Sequence, residues 1–270
     1  MDLYKKIDQA IKLMQQADKA AAAIGQPVEL CYSGGKDSDV ILKLAQMAGI
    51  NYRAIYKNTS IDPPGTIKHC KENGVEVLAP KKRFIEIIAE TGHPSRFART
   101  CCRFLKEYKV LDKAIVGIRR SESTKRAARY TEPTMCRYYG SKKDHVEQFL
   151  PILQWTDDDG TFHVERRLGC MCCPLMSINK RLEELKKHPN MVKLYAIGGA
   201  RFLKSHPDSN AVQRFNNDVF AHLAFAIFCK SYQEFEEKFG KNLFSEGTDC
   251  KAYLEKYFNV DLSIEKYLKK

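Results

Sequence analysis

Apolar residues recur at three- and four-residue steps over residues 3–23, where Leu3, Ile7, Ile11, Met14 and Ala17 share one helical face. Pro27 interrupts that pattern, and Val28–Tyr32 (VELCY) is a short apolar run that predicts a buried strand. A glycine turn, Ser33-Gly34-Gly35, comes next. Residues 37–48 then carry Val40, Ile41, Leu44 and Met47 on one face of a second helix. The alternation repeats. Tyr52–Lys57 predicts a strand, 63–73 a helix opened by Pro63 or Pro64, and 75–78 a strand. Residues 84–90 predict a helix and 114–118 (AIVGI) another buried strand. Strands that alternate with helices form βαβ units, so the expected fold is α/β, a parallel twisted sheet flanked by helices.

From about residue 175 the pattern changes. Leu182, Leu185, Met191, Leu194 and Phe202, then Phe220, Leu223, Ala224, Ile227 and Phe228, form helical stripes that no strand signal interrupts. Between the two regions, residues 119–173 read as a loop-rich stretch with many arginines and clustered cysteines. The expected organisation is an N-terminal helix (1–25), a nucleotide-binding α/β domain with a cysteine-rich metal region (26–175), and a helical C-terminal region (176–270).

Composition narrows the classes. In 270 residues, 44% hydrophobic and 10% aromatic content argues against a disordered chain. The longest apolar stretches fall far short of the roughly 20 residues that span a bilayer, and no secretory h-region opens the chain. A cytoplasmic protein with no membrane partner is expected. The net charge of +12 suits polyanions, either nucleic acid or nucleotides, although a basic surface kept soluble by repulsion would read the same way.

The sharpest chemical signal is Ser33-Gly34-Gly35-Lys36-Asp37-Ser38, set between a strand and a helix. Glycines let backbone N–H groups form a concave nest, and the helix N-terminus adds its positive dipole end. Lys36 supplies a point charge for phosphate, Asp37 can hold Mg²⁺ or cap the helix, and Ser38 can donate to a phosphate oxygen. The spacing is not that of a Walker A loop, because Leu30 stands where its first glycine would be. An ordinary glycine turn with a Ser or Asp cap is the competing reading. The six residues resemble the pyrophosphate loop (PP-loop) of the N-type ATP pyrophosphatases, the adenine nucleotide alpha hydrolase-like superfamily. That resemblance implies ATP with Mg²⁺ as cofactor. It also places Asn58-Thr59, at the end of the second strand, beside the nucleotide.

A second segment, Gly117-Ile118-Arg119-Arg120-Ser121-Glu122-Ser123-Thr124-Lys125-Arg126, follows a buried strand. Arginines at the carboxyl edge of a parallel sheet are placed to meet phosphate or sulfate. Glu122 can orient one of them or hold a metal. The segment resembles the G-x-R-x-x-E-S-x-x-R stretch of the phosphoadenosine phosphosulfate (PAPS) reductase family. Lys36, Asp37, Arg119, Glu122 and Arg126 are therefore the candidate catalytic groups, with Gly117 and Arg119 also bordering the nucleotide.

Ten cysteines, six of them clustered, give the third signal. Cys101-Cys102, Cys136 and Cys170-Met171-Cys172-Cys173 have metal-ligand or redox spacing, and four thiolates brought together can hold a [4Fe–4S] cluster or zinc. The resemblance favours iron–sulfur, since related adenylyl-sulfate reductases and DNA-phosphorothioation sulfurtransferases pair a Cys-Cys with a distant C-x-x-C. Cys170 and Cys173 lead as ligands, followed by Cys102, Cys101 and Cys136, which leaves Cys172 as an extra thiol. Trp155-Thr156, followed by Asp157-Asp158-Asp159, reads as a helix start with a structural anchor.

Two departures from the reductase pattern matter. Sulfonucleotide reductases of this superfamily typically carry a degraded pyrophosphate loop, whereas here it is intact. They attack sulfur through a Glu-Cys-Gly-x-His segment, whereas the last cysteine here, Cys250, lies in Thr248-Asp249-Cys250-Lys251. The leading expectation is an enzyme that cleaves ATP to AMP and pyrophosphate and adenylates an acceptor for sulfur transfer. Its expected partners are an adenine nucleotide, DNA or tRNA as substrate, and a sulfur-donor protein. The alternatives are reduction of PAPS or adenylyl sulfate to sulfite, and a zinc-stapled binding module without catalysis.

Overall fold

The computed structural model describes residues 2–95, 99–139, 141–156, 169–240 and 247–267, with the backbone alone at 141–144 and 211–212. Two compact units emerge, one of Met1–Pro80 with Glu107–Gly169 and one of Lys81–Lys106 with Cys170–Lys270. The segment 81–106, which lies inside the stretch 26–175, thus belongs with the C-terminal helices.

The first unit is α/β. Its elements are α1 (Leu3–Ala22), β1 (Val28–Tyr32), α2 (Lys36–Ala48), β2 (Tyr52–Lys57), α3 (Thr66–Glu72), β3 (Glu76–Leu78), β4 (Lys113–Val116), α6 (Thr124–Arg129), β5 (Thr134–Tyr139) and β6 (Ser141–Phe149). The six strands lie in the order β3-β2-β1-β4-β6-β5, every neighbouring pair parallel except β5 with β6. Residues one helical turn apart on α1 (Ala10, Met14, Ala17 and Ala21) are fully buried, and the three alanines let the helix lie close on the sheet while Met14 fills the space between. They share a core with Leu30, Ile41, Ala45, Ile115 and Ile152. On β1 the alternate residue Glu29 is also buried, its carboxylate 3.2 Å from the Lys57 ammonium.

The stretch 119–173 is more ordered than its sequence suggests, since α6 and the β5–β6 hairpin occupy much of it. The hairpin escapes the hydrophobic pattern for a physical reason. β5 is an edge strand whose residues stay partly or wholly exposed, and β6 opens with charged residues before reaching Val146 and Phe149. Asp157–Asp159 lie outside the described residues.

The second unit is helical throughout its described residues. It comprises α4 (Phe84–Thr91), α5 (Thr100–Leu105), α7 (Ile178–Lys187), α8 (Pro189–Ser205), α9 (Asn210–Arg214), α10 (Val219–Phe228), α11 (Tyr232–Phe239) and α12 (Cys250–Phe258). Asp218 caps α10 by accepting the Phe220 and Ala221 amides at 2.8 and 3.1 Å. Phe228 packs edge-on against Phe239-side neighbours Tyr253 and Tyr257 and stacks on Phe258. Among the described residues, no helix is long and apolar enough to cross a membrane.

Candidate nucleotide site and thiol centre

β1 and β4 are parallel neighbours, with Cys31 opposite Val116, yet the chain visits β2 and β3 before it returns to β4. Strand order therefore reverses between them, and open α/β sheets bind ligands in the crevice at the carboxyl end of such a junction. The two sequence motifs leave the sheet at this point. After β1, Gly34 takes a left-handed φ of 77°, a conformation a side chain would strain. The Ser38 hydroxyl donates to the Gly35 carbonyl at 2.6 Å, and the Ser33 hydroxyl donates to Ser38 Oγ at 3.2 Å. Gly35 is the N-cap of α2 and offers no capping side chain, so the positive end of the helix dipole is suited to an anion. Lys36 is the first residue of α2.

After β4, Gly117 passes so near α2 that a Cβ would stand 3.0 Å from the Asp37 carbonyl oxygen. That approach seats Arg119, only 3% exposed, with its Nε donating to Asp37 Oδ1 at 3.0 Å. Desolvation nevertheless pushes the Asp37 carboxyl above its usual value, outweighing the opposing pull of Arg119. A divalent cation would relieve that tension. Glu122 accepts the Arg119 backbone amide at 3.2 Å and pairs with Arg126 Nη1, so it orients arginines here. Ser121 accepts from Arg119 Nη1 at 3.3 Å and donates to the Trp155 carbonyl at 2.9 Å.

At the end of β2, Thr59 is buried, and Asp62 accepts both its amide (2.7 Å) and its hydroxyl (2.6 Å). Asn58 Oδ1 accepts the Ser60 amide at 2.7 Å. Both side chains thus shape the turn. Sequence reasoning missed Asp62, and it also missed a cluster behind the loop. Tyr32, the last residue of β1, donates its hydroxyl to Asp39 Oδ1, and His69 Nε2 lies 2.9 Å from that hydroxyl and 3.2 Å from that carboxylate. The cluster ties the first turn of α2 to α3.

The thiols divide. Cys136 is exposed on β5 in the first unit, whereas Cys101, Cys102, Cys170 and Cys173 all belong to the second. A hydrogen bond donated to Cys102, burial, and the nearby Cys102, Cys173 and Cys170 together push the Cys101 thiol upward. Burial comes first for Cys173, with Cys170 and Cys102 adding to the rise. These four thiols therefore lie within electrostatic reach of one another. Among the described residues, no three His, Cys, Asp or Glu side chains converge at metal-binding separation. Four thiols are a donor set that fits a soft cation.

The C-x-x-C turn has supports that the sequence did not reveal. Cys172 is fully buried with φ 53°, its amide donates to Glu184 Oε2 at 2.8 Å, and the Tyr195 hydroxyl donates to its carbonyl at 3.2 Å. Beside Tyr195 lie two histidines, His93 and His222, with ring centroids 4.8 Å apart. Among the described residues, both His93 ring nitrogens and His222 Nδ1 are buried without a hydrogen-bond partner. Burial holds His93 well below the usual histidine value and brings His222 down to about 4.

A pyrophosphate-type loop and an arginine loop flanking the switch point of a mostly parallel sheet define the class. Residues 27–177 match the phosphoadenosine phosphosulfate reductase domain, and the chain belongs to that family, whose members are generally enzymes. One curated relative is the uncharacterized protein MJ0066 of Methanocaldococcus jannaschii, 25% identical over 70% of this chain and 48% of its own length. The chain thus spans about half of that relative.

Proposed function

We propose that the chain binds MgATP at Ser33–Ser38, cleaves it between the α and β phosphates, and adenylates an acceptor for sulfur transfer. One observation carries this reading: the intact glycine loop opens α2 at the switch point, with Asp37 held by the buried Arg119. An acceptor oxygen attacks the α-phosphorus, the bond from that phosphorus to the bridging oxygen breaks, and pyrophosphate leaves with that oxygen. Lys36 and the end of the α2 dipole stabilise the charge that develops on the phosphates. Asp37, its carboxyl raised by desolvation, would hold Mg²⁺, and the cation would neutralise charge on the phosphates. A sulfur nucleophile from a donor protein then displaces AMP from the adenylated centre.

Cys101, Cys102, Cys170 and Cys173 would hold a [4Fe–4S] cluster, and zinc is the alternative for the same thiols. Held by four thiolates, an iron–sulfur cluster would supply a one-electron or structural centre, whereas zinc would supply a structural staple. Reduction of a sulfonucleotide is the second reading, and it would need Cys172 or Cys250 as nucleophile. Both are buried, and burial pushes each up to about 12, which disfavours the attacking thiolate. The test is incubation with MgATP and candidate nucleic acids. Release of AMP and pyrophosphate with one acceptor is expected. No release with any acceptor, together with consumption of PAPS by a thiol reductant, would reject the proposal.

A further inference from the structure

Among the described residues, a cavity of about 400 Å³ lies between α1 and the chain that leaves β6. Leu13, backed by the nearly buried Leu150, Leu153 and Trp155, gives it an apolar wall, and α1 contributes Lys6 and Lys12 to its rim. Gln9, Gln16 and Gln154 also face it, and among the described residues no carboxylate lines it. Small-molecule pockets have this size and this mixture of apolar surface with a few polar groups. Two ammoniums and three carboxamides beside an apolar wall complement a flat heterocycle joined to an anion. Carboxamides pair with the donor and acceptor edges of nucleobases, and lysines take phosphate.

The cavity wall is bonded to the nucleotide site. The Leu153 carbonyl accepts the Arg120 amide at 2.9 Å, and the Trp155 carbonyl accepts the Ser121 hydroxyl at 2.9 Å. Ser121 in turn accepts from Arg119, which holds Asp37. α1 itself lies before the family match at residues 27–177, so the cavity combines a family loop with a helix outside the family domain.

We propose that this cavity seats one nucleotide of a nucleic-acid acceptor, its base against the Leu13–Leu153 wall and its phosphate on Lys6 and Lys12. The inference rests on the adenylation reading and names the acceptor class for it. The shared chemistry is a nucleoside phosphate, which a strand or a free nucleotide can supply.

Trp155, the only tryptophan, reports on the cavity by its fluorescence. The full chain is titrated with single-stranded DNA and RNA 12-mers and with nucleoside monophosphates, without ATP, at several salt concentrations. A 12-mer is expected to quench Trp155. The double substitution Lys6→Ala, Lys12→Ala should then weaken its binding about tenfold and flatten the salt dependence by about one to two logarithmic units. MgATP affinity should stay within about twofold of the parent, which shows that the variant is folded. Equal quenching by a monophosphate, lost in the same variant, assigns the site to free nucleotides and overturns the strand as its source. Strand binding that the variant leaves unchanged, or a cavity closed by self-association of the chain, overturns the proposal outright. AMP and pyrophosphate are measured in parallel samples with ATP. Their absence rejects the adenylation reading while leaving the binding result standing.

Discussion

At the loop edge of the first unit, charged groups are held by other charged groups: Asp37 by Arg119, and Glu122 by Arg126. In the second unit, the groups around the C-x-x-C turn are buried neutral. Among the described residues, His93 and His222 lack hydrogen-bond partners on three ring nitrogens, and Cys172 is sealed from solvent. The two regions therefore fail differently. Removing a charge harms the first, whereas adding a proton harms the second. The nucleotide edge is arranged to receive a charged ligand, and the thiol centre is arranged to exclude water.

The largest effect is expected at the charged edge. Lys36→Ala should lower the rate of AMP and pyrophosphate release about 10²–10³-fold, which is about 3–4 kcal/mol of transition-state stabilisation. The thermal midpoint should barely move, because Lys36 opens a helix and supports no core. Quench-flow with radiolabelled ATP checks the rate. An unchanged rate would remove the loop from catalysis.

Acid separates the two regions next. A neutral buried histidine favours the unfolded state as soon as the unfolded side chain protonates. Stability from His222 is therefore full above about pH 6.5 and falls as pH drops toward its folded value of about 4. The loss approaches about 3 kcal/mol, and His93 adds to it in the same direction. Urea melts between pH 7 and pH 4 should show this fall, and His222→Phe should flatten it. A parallel slope in the variant would place the acid sensitivity elsewhere.

What the sequence revealed follows from how far apart the cooperating residues lie. Ser33–Ser38 is contiguous and sits on a strong strand-to-helix transition, so both the loop and its place in an α/β sheet were readable. The helices after residue 175 were equally plain from their periodicity. Tyr32, Asp39 and His69 meet only because β1, α2 and α3 pack together, and nothing local marks His69 within Thr66–Glu72. The His93–His222 pair spans more than a hundred residues of chain and carries no motif at all. The β5–β6 hairpin was hidden because an edge strand has no need for a continuous apolar face.

A smaller effect should distinguish support from ligation at the thiol centre. Glu184→Ala leaves the Cys172 amide without its acceptor, at a cost of about 1–2 kcal/mol. Iron or zinc retained after anaerobic purification should fall, because the turn carrying Cys170 and Cys173 loses a fixed point. Glu184→Gln, which keeps an acceptor oxygen, should restore most of the metal. If both variants retain parental metal, Glu184 does not position the turn.

The smallest effects come from two left-handed residues, one in each region. Gly34 has φ 77° in the nucleotide loop, and Cys172 has φ 53° in the thiol turn. Gly34→Ala places a side chain where L-residues are strained, which costs about 1–2 kcal/mol, and it crowds the surface where phosphate would lie. Cys172→Gly relieves a similar strain but deletes a buried thiol and loosens the unfolded chain, so the net change should stay within about 1 kcal/mol. Its metal content should match the parent if the adjacent Cys173 is the ligand, because Cys172 is held by its backbone. Loss of metal in Cys172→Gly would make Cys172 itself a ligand. The thiol centre would then be built from its most deeply buried cysteine, and the contrast with the charge-paired loop edge would be sharper still.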